Sequence, residues 1–287
     1  MDFVGGQAVV EGVMMKSKDK YAIAVRDPEG RIKVKVGKEK SWTKKWRLLG
    51  LPFIRGPVIL LETLILGIKS LNYSADVAAQ EDGEEEETKI NPWSLAITLV
   101  ISIALALVIF KLIPLGIAQL STNWGGIFEN RFVFNLVEGL SKIIILVGYI
   151  YLISLMPDVK RVFQYHGAEH KVVNAYEKND LANAEKYSTI NVRCGTSFIM
   201  FVMALSIIVY LVIPIDINFF LKYGLRLLML PLIASFGYEL IKISPKQENK
   251  AWFKAIMSPG LILQRLTTKE PDEKQIEVAM LALRKVV

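Results

Sequence analysis

Two patterns of hydrophobic and polar positions divide this chain. Across about 92–243 the apolar residues run in long blocks, whereas near the N-terminus they alternate with polar residues. Four blocks have the length of a membrane helix, which requires about 20 residues. They cover about 93–113, 132–156, 197–213 and 223–243, and Pro114, Pro157 and Pro214 close the first three. A further apolar run, about 57–71, is interrupted by Glu62, Thr63 and Lys69. With roughly eleven apolar positions it is too short to cross, so residues 46–79 are expected to hold an interfacial or re-entrant helix. A tilted fifth span is the rival reading.

The first 45 residues predict a small β unit. A Val- and Gly-rich segment covers 3–15, and a strand covers 21–25. Asp27-Pro28-Glu29-Gly30 then forms a turn, because Pro presets one backbone angle and Gly tolerates positive ones. Beyond it, Ile32, Val34 and Val36 alternate with Arg31, Lys33 and Lys35, so one face packs and the other is wet. That basic face suits either anionic lipid or plain solvent. Trp42, Trp46, Lys44, Lys45, Arg47 and Arg55 make an interfacial mixture of aromatics and cations. Residues 80–91 read as an acidic linker, and 244–287 as a cytoplasmic tail. In that tail Ser258-Pro259-Gly260 is expected to break the chain before a helix near Pro271, with Ile276, Met280, Leu283 and Val287 as its apolar stripe.

Charge sets the orientation. The chain is 52% hydrophobic, yet it carries 35 Lys and Arg against 28 Asp and Glu, a net charge of +7. Residues 1–56 hold 13 of the cations, 157–195 hold six and 242–287 hold nine, whereas 114–131 and 214–222 hold one each. With four spans all three basic segments fall on one side, which the positive-inside rule makes the cytoplasm. The expectation is a multi-pass inner-membrane protein with both termini cytoplasmic. Cys194 is the single cysteine, so an intramolecular disulfide and a Cys-rich zinc knuckle are excluded. The first 50 residues contain no long apolar core of the kind a cleavable signal peptide needs.

The candidate chemistry sits in the cytoplasmic segment 157–196. His166 and His170, the two histidines of the chain, stand one helical turn apart, with Glu169 just before the second. The order H-x-x-E-H is that of the inverted zinc peptidases, with two metal-binding imidazoles and a general base. A catalytic zinc normally takes a third protein ligand. Glu239, an acid near the cytoplasmic end of the fourth span, is the first candidate. Cys194 is the second, and Glu11 and Glu62 are weaker ones. The blander alternatives are an interfacial helix face whose histidines bond to neighbours, and a Glu239 that pairs with Arg226. Gly167 lets another segment or a substrate approach the helix closely. No phosphate loop is present, and no nucleic-acid partner is expected.

Four stretches carry a resemblance. They are Gly5-Gly6-Gln7-Ala8-Val9-Val10-Glu11-Gly12-Val13-Met14-Met15, Phe163 through Lys171, Arg193-Cys194-Gly195-Thr196-Ser197-Phe198, and Pro259-Gly260-Leu261 through Gln264 and Leu266-Thr267-Thr268. Together the chain resembles the bacterial YqhQ-like membrane proteins, a domain of unknown function often labelled a predicted metal-dependent enzyme. Members tend to carry His two positions before the Arg of the Arg-Cys-Gly motif, where this chain has Asn191, and this departure favours Glu239 over the 191–194 loop.

The reading is therefore an α-helical polytopic membrane protein with four transmembrane helices, one interfacial helix and a small N-terminal cytoplasmic β unit. Its expected activity is a metal-dependent hydrolase, a peptidase being one form, with zinc as the first metal. His166, His170 and Glu239 would hold the ion and Glu169 would act as base. Membrane lipids, a membrane-protein or peptide substrate and a second copy of the chain are the expected partners. The alternative is a membrane scaffold or transport component whose His/Glu cluster is structural or binds metal without turnover.

Overall fold

The computed structural model describes residues 3–79, 92–247 and 250–287. The acidic linker expected at 80–91 lies outside the described residues. The chain forms two compact units, one from Met1–Thr88, Leu152–Cys194 and Leu261–Val287, the other from Lys89–Tyr151 and Gly195–Gly260.

The first unit is built on an antiparallel meander of β1 (Val4–Val9), β2 (Gly12–Ser17), β3 (Lys20–Arg26) and β4 (Ile32–Lys38), ordered as in the sequence. The Val- and Gly-rich segment 3–15 forms two strands, because the chain reverses at Val10-Glu11, where Glu11 takes a φ of 50°. Both faces of the sheet are covered. Val4, Val13, Met15, Ala22 and Ala24 pack on α6 (Pro157–Glu177) and α11 (Glu273–Arg284). Val9, Met14, Ile23 and Val25 pack instead on Leu66 and Val77 of α2 (Arg55–Ala79). A strand buried on both faces reads as a continuous apolar run, which is why the turn in 3–15 was hidden. β4 is an edge strand: Ile32 and Val34 join the core, but Val36 is 52% exposed, so the expected alternation fails at its end.

Before α2 lies the short α1 (Trp42–Lys45). Glu62 of α2 is buried and ties the two together, accepting from Ser41 Oγ at 2.8 Å and from the Trp42 main-chain N–H. Its role is structural. At 25 residues, α2 runs past both ends of the apolar block at about 57–71 and is apolar enough to cross a membrane. In α11 Asp272 is the N-cap, with Gln275 completing a capping box. The buried stripe is Gln275, Val278, Ala279, Ala282 and Leu283, so the face that packs is rotated from the expected one and Val287 is exposed.

The second unit holds the long apolar helices α3 (Pro92–Leu107), α4 (Ile113–Ser121), α5 (Arg131–Ser154), α7 (Gly195–Val209), α8 (Phe219–Leu228) and α9 (Leu230–Gln247), and most of α10 (Ala251–Thr267). Among the described residues five segments, α2 included, have the length and composition of a membrane span: Arg55–Ala79, Ala96–Trp124, Arg131–Ser154, Gly195–Val212 and Phe219–Leu240. Pro114 does not end the first apolar block. A π-turn at Val108–Leu112, with Ile113 N–H donating to Val108 O, absorbs it at the start of α4. Pro259 likewise sits inside α10 rather than breaking it. Pro lacks the N–H that would reach Ala255 O, and Ser258 Oγ donates to that carbonyl instead at 2.8 Å. Close helix approach relies on small residues: a Cβ at Gly260 would lie 2.5 Å from Ser197 Cα.

Candidate metal centre

α6 begins with Pro157 at its first turn and Asp158 near the positive dipole end, both favourable there. Its buried face, including Tyr165, Ala168, Val172 and Ala175, docks on the sheet and α11. That docking sets the rotation of the helix. Glu169 then lies over β1, where the lack of a side chain at Gly6 is required: a Cβ there would stand 2.9 Å from Glu169 Cγ. His166 and His170 point together, their ring centroids 4.4 Å apart.

The chain after α6 is laid back along the helix by its own polar residues. Lys171 Nζ donates to Glu185 O at 2.7 Å, and Asn174 Nδ2 to Ser188 O at 2.8 Å and Ile190 O at 3.1 Å. This brings Thr189 O within 2.6 Å of His170 Nδ1. From the end of α10, Thr267 O lies 2.9 Å from His166 Nδ1. A main-chain carbonyl only accepts, so each Nδ1 carries the proton and each Nε2 presents a lone pair. This is the arrangement that orients imidazoles at metal sites.

Cys194 completes the group. Buried Gln264 brackets the main chain of Asn191, accepting from its N–H at 3.0 Å and donating to its carbonyl at 2.7 Å. The Asn191 side chain in turn accepts from Arg193 N–H at 2.8 Å and donates to Asn174 at 3.0 Å. The loop so fixed places Cys194 Sγ 3.3 Å from His166 Nε2. Ligand atoms of His166, His170 and Cys194 all lie within 4.8 Å of one another. Zinc bonds of about 2.1 Å to nitrogen and 2.3 Å to sulfur put neighbouring tetrahedral ligands about 3.5 Å apart, so the donor set fits such an ion once its widest pair closes by about 1 Å. His170 is deeply buried, whereas His166 and Cys194 are half-buried and leave one side open.

Glu169 Oε2 stands 3.4 Å from His170 Nε2. Burial pushes its carboxyl up to about 7, against the opposing pull of His166. Of the other acids considered, Glu11 forms a two-pronged ion pair with Arg161 and accepts from Tyr165 Oη at 3.3 Å. Glu62 is the structural tie to α1. Glu239 lies half-buried on α9 of the second unit. Arg226, its suggested partner, instead meets Glu138, with Nε 2.7 Å from Oε2. Gly167 admits a neighbouring segment as expected: a Cβ there would lie 2.1 Å from Lys269 O. The sequence assigned no role to Thr189 or Thr267, because a main-chain acceptor leaves no mark on residue type, nor to Gln264, whose side chain meets a main chain 73 residues away.

Comparisons bear on the same residues. Residues 51–287 match the family described as "Protein of unknown function (DUF1385)". The chain is 38% identical to the "Uncharacterized protein YqhQ" of Bacillus subtilis (strain 168), over 96% of this chain and 89% of that protein. No solved structure matches. The chain belongs to the YqhQ-like DUF1385 family.

Proposed function

We propose that this protein is a metal-dependent hydrolase working at the membrane face, with His166, His170 and Cys194 as metal-binding residues and Glu169 as general base. The observation that carries the reading is the convergence of those three ligand atoms within 4.8 Å beside a buried carboxylate. A divalent transition ion, zinc first, would supply Lewis acidity there. Thr189 and Thr267 hold the imidazoles in the ligating tautomer. Glu169 accepts a proton from the attacking water and returns it to the leaving group, a task suited to a carboxyl poised near neutral pH. Cys194 is preferred to Glu239 as third ligand on this geometry. A peptide bond is the first substrate class to test, given the H-x-x-E-H order.

A parity argument supports four membrane crossings among the five candidates. The sheet and α6 bury side chains in one core, so they lie on one side of the bilayer, and an even number of crossings separates them along the chain. α2, Ala96–Trp124 and Arg131–Ser154 all lie between them. Three crossings would be odd, and α2 is the helix already packed on the sheet. We therefore take α2 as a helix beside the membrane, offering exposed Leu61, Leu64 and Leu71 to lipid together with Trp46, Leu48 and Phe53 just before it. Two more crossings lead back to α11, which shares the same core. The cation distribution then makes this side, with both termini, cytoplasmic.

The test is elemental analysis of detergent-purified protein beside the His166→Ala, His170→Ala double variant. About one equivalent of transition metal, lost in the variant, is expected; no metal in either after reloading overturns the site. A second reading, a scaffold or transport component, draws on charged side chains buried among the apolar helices of the second unit. Glu169→Gln separates the two: an enzyme keeps its metal and loses turnover, whereas a scaffold keeps its cellular role.

A further inference from the structure

Among the apolar helices of the second unit, four cations gather around two aromatic rings. Lys111, Lys142 and Arg226 lie 5.0, 4.7 and 5.0 Å from the Tyr210 ring centre. Lys222 and Arg226 lie 4.8 and 5.5 Å from that of Phe134. Lys142, Lys222 and Arg226 are each at most 2% exposed, as are Tyr210 and Phe134. Such side chains are costly in a membrane segment and mark a partner or a polar pathway.

Among the described residues these cations meet few acids. Glu138, fully buried, is taken up on both oxygens, by Lys142 Nζ at 2.6 Å and Arg226 Nε at 2.7 Å. The other two cations reach neutral acceptors: Lys111 Nζ meets Tyr210 Oη at 2.6 Å and Lys222 Nζ meets Gln119 Oε1 at 2.8 Å. Asp216, the further acid acting on Lys222, is exposed in the loop before α8. On Arg226, Nη2 donates to Asn135 Oδ1 at 2.8 Å, while Nη1 is buried with no hydrogen-bond partner among the described residues. A buried guanidinium nitrogen without a hydrogen bond, among four cations that share one buried carboxylate, is able to take a further anion. Several ammonium donors around one guanidinium fork suit an anion with several oxygens rather than a halide.

We propose that this cluster binds a phosphate group, carried by an anionic lipid headgroup or as free phosphate, with Arg226, Lys111 and Lys222 as its ligands. Glu138 and Asn135 hold the guanidinium in place, and Tyr210 spaces the cations. The site is separate from the His166–His170–Cys194 group, and neither proposal depends on the other.

The experiment uses the full-length protein in detergent. One arm follows the unfolding midpoint against sodium phosphate, with sodium chloride at matched ionic strength as control. The other transfers the protein to bilayer discs of phosphatidylglycerol or phosphatidylcholine and reads retained phospholipid by native mass spectrometry. A saturable rise with phosphate identifies the free anion. Retention of phosphatidylglycerol alone identifies the headgroup. In either arm the Lys111→Gln, Lys222→Gln double variant should bind at least tenfold more weakly. Lys111→Gln alone, at the half-buried margin of the cluster, gives a second variant with a smaller loss should the double variant not fold. No response beyond chloride and phosphatidylcholine, or variants that respond like the native chain, overturns the proposal.

Discussion

His166 and His170 owe their disposition to two main-chain oxygens. Thr267 O and Thr189 O hold the Nδ1 protons, so both Nε2 atoms are turned to the side on which Cys194 stands. Cys194→Ser should keep the fold and weaken zinc binding at least tenfold, because a thiolate ligand is replaced by a poorer one. Glu239→Gln should leave the affinity unchanged. A chelator competition titration on both variants checks this; metal lost from Glu239→Gln but kept in Cys194→Ser would restore the carboxylate as third ligand. At the same scale, Gln264→Leu strips two partners from the buried Asn191 main chain. The expected cost is about 2–4 kcal/mol, with metal affinity falling because the Cys194 loop loses its clamp. Thermal unfolding together with the same titration measures both effects.

At the scale of elements, glycines decide where helices may be approached. Lys269 passes so close to α6 at Gly167 that no side chain fits, and Lys269 N–H donates to Phe163 O at 2.9 Å nearby. Gly167→Ala should therefore destabilise by about 1–3 kcal/mol as the segment after α10 is pushed off, carrying Thr267 with it. Gly148, on α5, has nothing within 4 Å of a built Cβ. Gly148→Ala should be neutral or stabilising by up to about 1 kcal/mol, from helix propensity alone. The unfolding midpoint should fall in Gly167→Ala and stay or rise in Gly148→Ala. The internal prolines belong to this scale too: Pro114 and Pro259 are carried by a π-turn and by the Ser258 hydroxyl, local repairs that spacing alone does not reveal.

At the scale of the whole chain, the parity of crossings ties topology to a shared core. Single cysteines introduced into a Cys194→Ser background should label from the cytoplasmic side at Lys178 and Lys285. Those at Thr122 and Asp216 should label from the opposite side. Labelling of Lys20 on the side opposite Lys178 would make α2 a span and contradict the packing of the sheet with α6.

The sequence by itself determined the apolar blocks, the basic segments, the β unit and the pairing of His166 with His170 and Glu169. Each follows from hydropathy, charge or helical period, which are local properties of the chain. Tertiary structure alone decided the rest. It divided 3–15 into a hairpin, because a strand covered on both faces hides its turn in apolar residues. It lengthened α2 and laid it on the sheet, because burial of Leu66 and Val77 depends on a partner surface rather than on run length. It brought Cys194 to His166 across 28 residues and Gln264 to Asn191 across 73, since those approaches depend on how loops fold back and not on spacing. It also gathered Lys111, Lys142 and Arg226 from three separate apolar blocks, and Lys222 from the loop before the last, where each looks like an isolated charge until packing places them around the same two rings.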